Sequence, residues 1–345
     1  MRNFVLLMLL SLYSLADSNY ISMEYTSLKH RDKPLNNFLS LYGKVEDKYE
    51  FLDGDLDVRG GVTTHGVIQK SGDFELFDTV YDTKGLIHSL AVDYYPTADI
   101  LLSLGRESMK LNLLNGSFDG VMAVGNLDDL SLKTFYFNYY SILYPSYFKS
   151  EEIEDGLYGL NFSYSRGVFD VEGSFFVYGD HSVSDLYMAL LYNSFILGAE
   201  ELSFQSSTLA NEGAIKLLAG YRYDRFYLEG GYYSVYDGAL QNIYNLGGTE
   251  FKSFGLNSFL NHEEADNIYT DLLFNHHLLY TKLHLGRSSF VEEGVDVVGD
   301  ELGLTVGVRY KQLEASATYL TQKSDQSGVA GSRTDWVQTH LKYRF

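Results

Sequence analysis

Apolar side chains recur at every second position through most of this chain. In "LYGLNFSYSRGVFDVEGSFFVYGD", Tyr158, Leu160, Phe162 and Tyr164 alternate with Gly159, Asn161 and Ser163. Ser165-Arg166-Gly167 then turns the chain, and Phe169, Val171, Gly173, Phe175 and Val177 alternate with Asp170, Glu172, Ser174, Phe176 and Tyr178. A period of two predicts strands, and two such runs about a short turn predict a hairpin with one apolar and one wet face. The unit returns in "AIKLLAGYRYDRFYLEGGYY" and "ELGLTVGVRYKQLEASATYL", with less regular copies over 90–104, 118–140, 186–204 and 268–285. No helical period competes over a comparable length.

The connections alternate in length. Short ones at Pro96–Asp99, Ser165–Gly167, Tyr223–Arg225 and Lys311-Gln312 come between longer polar ones at His65–Gly85, Ser141–Gly156, Tyr236–Asp266 and Ser288–Asp300. Short and long ends therefore fall on opposite rims of one sheet. From Asp55 onward the pattern places sixteen strands, the first with Leu56, Val58, Gly60 and Val62 against Asp55, Asp57, Arg59 and Gly61. Residues 20–28 and 38–46 add a hairpin, so the expectation is eighteen strands, with sixteen as the alternative.

A soluble sandwich needs two apolar faces that bury each other, in units of about 100–250 residues. Nothing here marks such a boundary. A transmembrane antiparallel β-barrel instead leaves its apolar face to lipid and its inner face polar, and closure pairs every backbone group. The pattern therefore predicts an all-β barrel over 17–345 as a single domain, with short periplasmic turns and long extracellular loops.

Composition agrees: 30 Tyr, 22 Phe and 32 Gly stand against 3 Pro and no Cys. Residues 1–16 read as a secretory signal peptide. Arg2 precedes an apolar run from Phe4 to Leu15, and Ser14-Leu15-Ala16 supplies the small residues of a cleavage site. That run falls short of the roughly 18–20 residues a spanning helix needs. The formal charge is −20, and removal of Arg2 with the leader makes it −21, which disfavours nucleic acid as a partner.

The chain ends "DWVQTHLKYRF", with Val337, Thr339, Leu341, Tyr343 and Phe345 on one face. This resembles the C-terminal strand of Gram-negative outer-membrane proteins. The resemblance implies the outer membrane as location, contact with lipid and lipopolysaccharide, and recognition by the barrel-assembly machinery through Phe345. A second stretch, Leu104-Gly105-Arg106-Glu107 followed by Phe118-Asp119-Gly120-Val121, resembles substrate-selective and major porins. It covers about a tenth of the chain, and Glu107 replaces that family's glutamine. The resemblance implies passive diffusion of small hydrophilic solutes and ions, a homotrimer, and Arg106 as a motif arginine. Arg106 shares the lipid parity of Leu102 and Leu104 unless a bulge at Gly105 re-aims it. A structural or adhesive barrel, or a plugged transporter, is the alternative.

In a pore, wall charges set selectivity. By parity, acids gather in the first half of the wall, at Asp55, Asp57, Asp93, Asp119, Asp170 and Glu172. Bases gather in the second, at Lys216, Arg222, Lys282, Arg309, Lys342 and Arg344. Arg59, Lys133, Glu229, Asp271 and Glu314 interrupt this segregation. The candidate pore-lining set is Asp93, Asp119, Asp170, Glu172, Lys216, Lys282 and Arg309, and opposed walls would set a transverse field. The 236–266 connection, with Tyr244, Phe251, Phe254 and Phe259, is a candidate either to fold inward as a constriction or to cap the mouth. His276-His277 falls in an inner turn, and His284 and His340 on lumen parity. No nucleophile motif, phosphate loop or His-Glu-x-x-His occurs, so neither catalysis nor a cofactor nor a metal is expected.

Overall fold

The computed structural model describes residues 19–30, 35–71, 83–111, 114–144, 147–238, 264–292, 294–326 and 329–345. The leader expected at 1–16, and most of the 236–266 connection with its four aromatics, lie outside the described residues. The described chain forms eighteen strands in one sheet. In order they are β1 Tyr20–His30, β2 Asn36–Phe51, β3 Leu56–Ser71, β4 Thr83–Thr97, β5 Ile100–Lys110 and β6 Asn115–Leu127. There follow β7 Leu130–Tyr144, β8 Tyr147–Arg166, β9 Phe169–Tyr178, β10 His181–Tyr192, β11 Phe195–Ser206 and β12 Glu212–Tyr223. The last six are β13 Phe226–Asp237, β14 Asp266–Asn275, β15 Leu279–Glu292, β16 Val295–Tyr310, β17 Leu313–Gln326 and β18 Val329–Arg344.

Each strand pairs antiparallel with its neighbours in sequence, and β1 pairs with β18, from Tyr20 opposite Arg344 to His30 opposite Thr334. The sheet is therefore a closed barrel, which leaves no unpaired edge. The count of eighteen holds over sixteen.

The period-two pattern sorts the side chains as expected. Leu90, Leu104, Leu197 and Ile268 are 58%, 62%, 57% and 66% exposed on the outer face. Their counterparts on the inner parity include Asp57, Asp93 and His284, all nearly buried. Such an apolar outer belt is stable against lipid and costly against water.

Two connections expected as loops are strand. β7 and β8 continue to Tyr144 and Tyr147, so the acidic "SEEIEDG" lies on β8, and β15 and β16 continue to Glu292 and Val295. Beyond the apolar belt water reaches both faces of a hairpin, so the strands persist without alternation. Pro96 sits inside β4, at a register skip between Tyr94 and Thr97. There its missing donor costs no ladder bond.

Glycine and the aromatics share one packing device. A Cβ at Gly231, Gly307 or Gly159 would lie 2.3, 2.1 or 2.1 Å from the rings of Tyr269, Tyr280 or Phe135 on the neighbouring strand. The inward rings thus lie along the wall over bare backbone rather than projecting across the lumen.

The buried apolar cluster lies inside the barrel at the long-connection end. It includes Met109, Phe118, Phe137, Tyr140, Leu157, Phe176, Phe204, Tyr233 and Phe290. This corrects the expectation of a polar inner face at that end of the barrel. Leu111 and Leu114, at the end of the β5–β6 hairpin, belong to the same cluster, and the Leu111 amide donates to the Leu114 carbonyl at 2.7 Å. Leu111 and Leu114 therefore pack with the inner-wall residues of that end.

Candidate functional site: the inner wall

On β2 to β5, alternation sends Lys44, Glu46, Asp57, Arg59, Asp93 and Glu107 inward. Arg59 lies opposite Ala91 in register, which puts Asp93 on the diagonal, within reach of a long side chain. Its guanidinium donates to both Asp93 oxygens, at 2.5 and 2.9 Å, and to Glu107 Oε1 at 2.6 Å. Ser103 also donates to Glu107. The two carboxylates are 2% and 4% exposed, against 23% for Arg59. Beside this group, Lys48 pairs with Asp57 at 2.8 Å and Lys44 with Glu46 at 3.0 Å. His88 Nε2 meets Glu46 at 3.4 Å, with Nδ1 2.9 Å from the Thr63 hydroxyl.

A second polar group covers β13 to β17. Asp271 pairs with Lys282 at 2.9 Å and with His284 Nδ1 at 2.5 Å. His284 Nε2 faces Glu301 at 3.4 Å, and Glu301 accepts from Gln322 at 2.5 Å. Glu229 accepts from Tyr227 and Tyr269, both at 2.5 Å. An aspartate on one imidazole nitrogen is the orienting half of a hydrolytic triad. Here the other nitrogen faces a carboxylate rather than a hydroxyl or thiol, so the arrangement supplies no nucleophile.

Toward the short-turn rim, Glu314 gathers Arg309 at 3.5 Å, Arg344 at 3.0 Å and the Tyr280 hydroxyl at 3.1 Å. Arg309 also stacks over the Tyr280 ring at 4.1 Å, and Lys342 lies 3.6 Å from the Tyr20 ring centroid.

Of the residues singled out from sequence, Asp93, Asp170, Glu172, Lys216, Lys282 and Arg309 lie on the inner parity. Asp170 and Glu172 sit together on β9, and among the described residues neither forms an ion pair. Lys216 lies over the Tyr233 ring at 5.4 Å. Lys282 and Arg309 are held by acids, as above.

Asp119 requires correction. It lies opposite Arg106 in register, on the outward parity of Leu104 and Val121, and Arg106 clasps it with two nitrogens. Arg106 stays on the outer face beside Gly105, whose φ of 127° marks a distortion only glycine tolerates. His276 and His277 occupy the turn between β14 and β15, with ring centroids 5.3 Å apart.

Three of the residues that interrupted the segregation of charge, Arg59, Asp271 and Glu314, are ion-pair partners within these groups. Arg59 holds two acids of the first half, while Asp271 and Glu314 hold bases of the second. Glu107, read only as a departure from a motif, is an inner-wall carboxylate. Its parity with Ser103 was the available signal.

The whole barrel is similar to solved outer-membrane porins. Among these are OccAB1 of Acinetobacter baumannii, with 10% identity, 95% of this chain and 96% of that chain covered, and a TM-score of 0.75. The outer membrane protein opdK of Pseudomonas aeruginosa gives 12% identity, 95% and 98% coverage, and a TM-score of 0.72. A BenF-like porin from Pseudomonas fluorescens Pf-5 gives 10%, 95% and 98%, and 0.71. No family model and no curated protein matches the chain. At these identities the likeness is one of fold, and the chain has the fold of these porins over nearly its full length.

Proposed function

We propose that the chain is an outer-membrane pore through which small hydrophilic solutes and ions diffuse passively, with no chemistry of its own. The observation that carries this reading is the barrel's polarity. The outer face is an apolar belt, while ion pairs and charged hydrogen bonds cover two stretches of the inner wall, β2–β5 and β13–β18. Lys44, Lys48, Arg59 and Lys282 stay partly exposed on that wall, and eighteen strands leave room for water beside them. The buried apolar cluster at the long-connection end narrows the lumen there and supports a size limit. The fold likeness supports the outer membrane as location. The terminal strand supports recognition by the assembly machinery through Phe345, and the porin resemblance supports a homotrimer. One porin sharing the fold was crystallised with vanillate, a small aromatic acid. A solute of that size suits a lumen narrowed at one end.

The test is single-channel conductance of the refolded mature protein in a planar bilayer. Discrete ohmic openings are expected. A folded barrel with no conductance rejects the pore in favour of an adhesive or plugged barrel.

Ion preference follows from the wall. Asp170 and Glu172 lie together on the inner parity of β9 and form no ion pair among the described residues, so the channel should favour cations. In water, a charge 4 Å from an ion is worth about 1 kcal/mol, or about fivefold in local occupancy. Asp170→Asn with Glu172→Gln should therefore move the reversal potential in a salt gradient toward that of anions. Lys282→Gln with Arg309→Gln removes two wall cations, leaving Asp271 with His284 and Glu314 with Arg344, and should move it the opposite way. If both pairs leave the potential unchanged, wall charge does not set selectivity.

A further inference from the structure

The outer wall over β4 to β7 differs from the rest of the belt. Ala123 and Thr134 stand side by side in register with Leu102, and these short side chains make the floor of a groove walled by Val92, Leu104, Val121 and Tyr136. The groove has a volume of about 640 Å³ and an apolar lining. Directly beyond it toward the long-connection rim, a polar cavity of about 450 Å³ is lined by Arg106, Asp119, Asn138, Tyr139, Ser150 and Glu152. The two are successive rungs of one ladder. Leu104 and Val121 belong to the groove, while Arg106 and Asp119, two residues farther along, belong to the cavity. Two residues of strand span about 6.6 Å, so one molecule can occupy both.

The cavity is organised before any ligand arrives. Arg106 is fixed by Asp119 and by donation to the Ile87 carbonyl at 3.1 Å, and lies 5.7 Å from the Tyr139 ring centroid. The Tyr139 hydroxyl lies 3.0 Å from Ser150 Oγ. Two carboxylates against one guanidinium disfavour an anionic head. Sugar hydroxyls both donate and accept, so they suit a set that offers carboxylates, an amide, hydroxyls and a guanidinium beside an aromatic ring.

The geometry points to a glycolipid site, with an acyl chain in the groove and an uncharged saccharide head in the polar cavity at the outer rim of the belt. This rests on the reading of the chain as an outer-membrane barrel, but not on its conducting. The site lies wholly on the outer face, away from the wall charges that would govern ion flow.

The test is native mass spectrometry of the full mature barrel in a non-glycosidic detergent. It is titrated with a diglucosyl diacylglycerol and with phosphatidylglycerol of the same chains. The sugar-headed lipid should bind about tenfold more tightly, the worth of one or two added hydrogen bonds. Glu152→Gln, at an exposed position, should weaken only the sugar-headed lipid, and Ala123→Phe, which fills the groove, should weaken both. Heat-modified mobility verifies that each variant is folded, and bilayer conductance of the same variants should stay at the wild-type value. Equal binding of the two lipids, or indifference to both substitutions, overturns the site. So does a face occupied by a second copy of the chain, seen as an oligomer that Ala123→Phe dissociates. Loss of conductance in the unmodified protein would reject the pore while leaving the lipid result intact.

Discussion

Arg59→Ala should destabilise the folded barrel by about 3 kcal/mol, the low end of the range for removing one partner of a buried ion pair. The low end applies because Arg59 itself is 23% exposed and reaches lumen water. Its two carboxylate partners do not. Asp93 and Glu107 would remain nearly buried, with their negative charges opposed only by neutral donors. The measurement is equilibrium urea unfolding in lipid vesicles, followed by the mobility of the native barrel on unheated gels. Replacing all three, as Arg59→Met, Asp93→Asn and Glu107→Gln, should cost less than the single change, because no charge is then stranded. A single-variant cost below about 1 kcal/mol would mean that water hydrates the carboxylates.

The second large effect concerns Gly120. A Cβ there would stand 2.0 Å from the Tyr136 carbonyl oxygen and 2.9 Å from the Phe137 Cα. Both are backbone atoms, so no side-chain rotation relieves the overlap. The site adjoins the register skip between Asp119 and Gly120 against β7, where Asn138 is the extra residue. Gly120→Ala should therefore cost about 3 kcal/mol, at the upper end for overpacking, and slow refolding into vesicles. Gly125→Ala on the same strand is the control. Nothing lies within 4 Å of its added Cβ, and its effect should stay within about 0.5 kcal/mol. Equal stability of the two variants would show that β7 yields at Asn138.

The strands were legible because one face meets lipid and the other water. On β9, with Phe169, Val171 and Phe175 against Asp170, Glu172 and Ser174, the chemistry of the two faces differs at almost every residue. β6 was not legible in the same way. Its inner residues Phe118, Met122 and Val124 are as apolar as its outer Val121 and Ala123, so a period of two carried no sign. Asp119 was sent inward because it is charged, whereas Arg106 across the ladder satisfies that charge on the outside. The wall charges were legible singly and not as pairs. Arg59 reads as an exception to an acidic half until the register of three strands brings Asp93 and Glu107 to it. The inward apolar cluster was hidden for a related reason: inner residues such as Phe118, Phe137 and Phe176 are as apolar as the outer ones, so parity alone did not set them apart.

The pairing of β1 with β18 also governs how the molecule can form. Tyr20 and Arg344 are partners at opposite ends of the chain, and the Phe345 amide donates to the Asn19 carbonyl at 3.2 Å. Every other ladder joins consecutive strands and can zip locally, whereas this seam closes a loop as long as the chain. Until it closes, the growing sheet presents two open edges, each able to pair with another chain. The seam is therefore the slow step of folding. Whatever shields the β1 and β18 edges during that interval decides whether the product is a closed monomeric wall or a tangle of sheets.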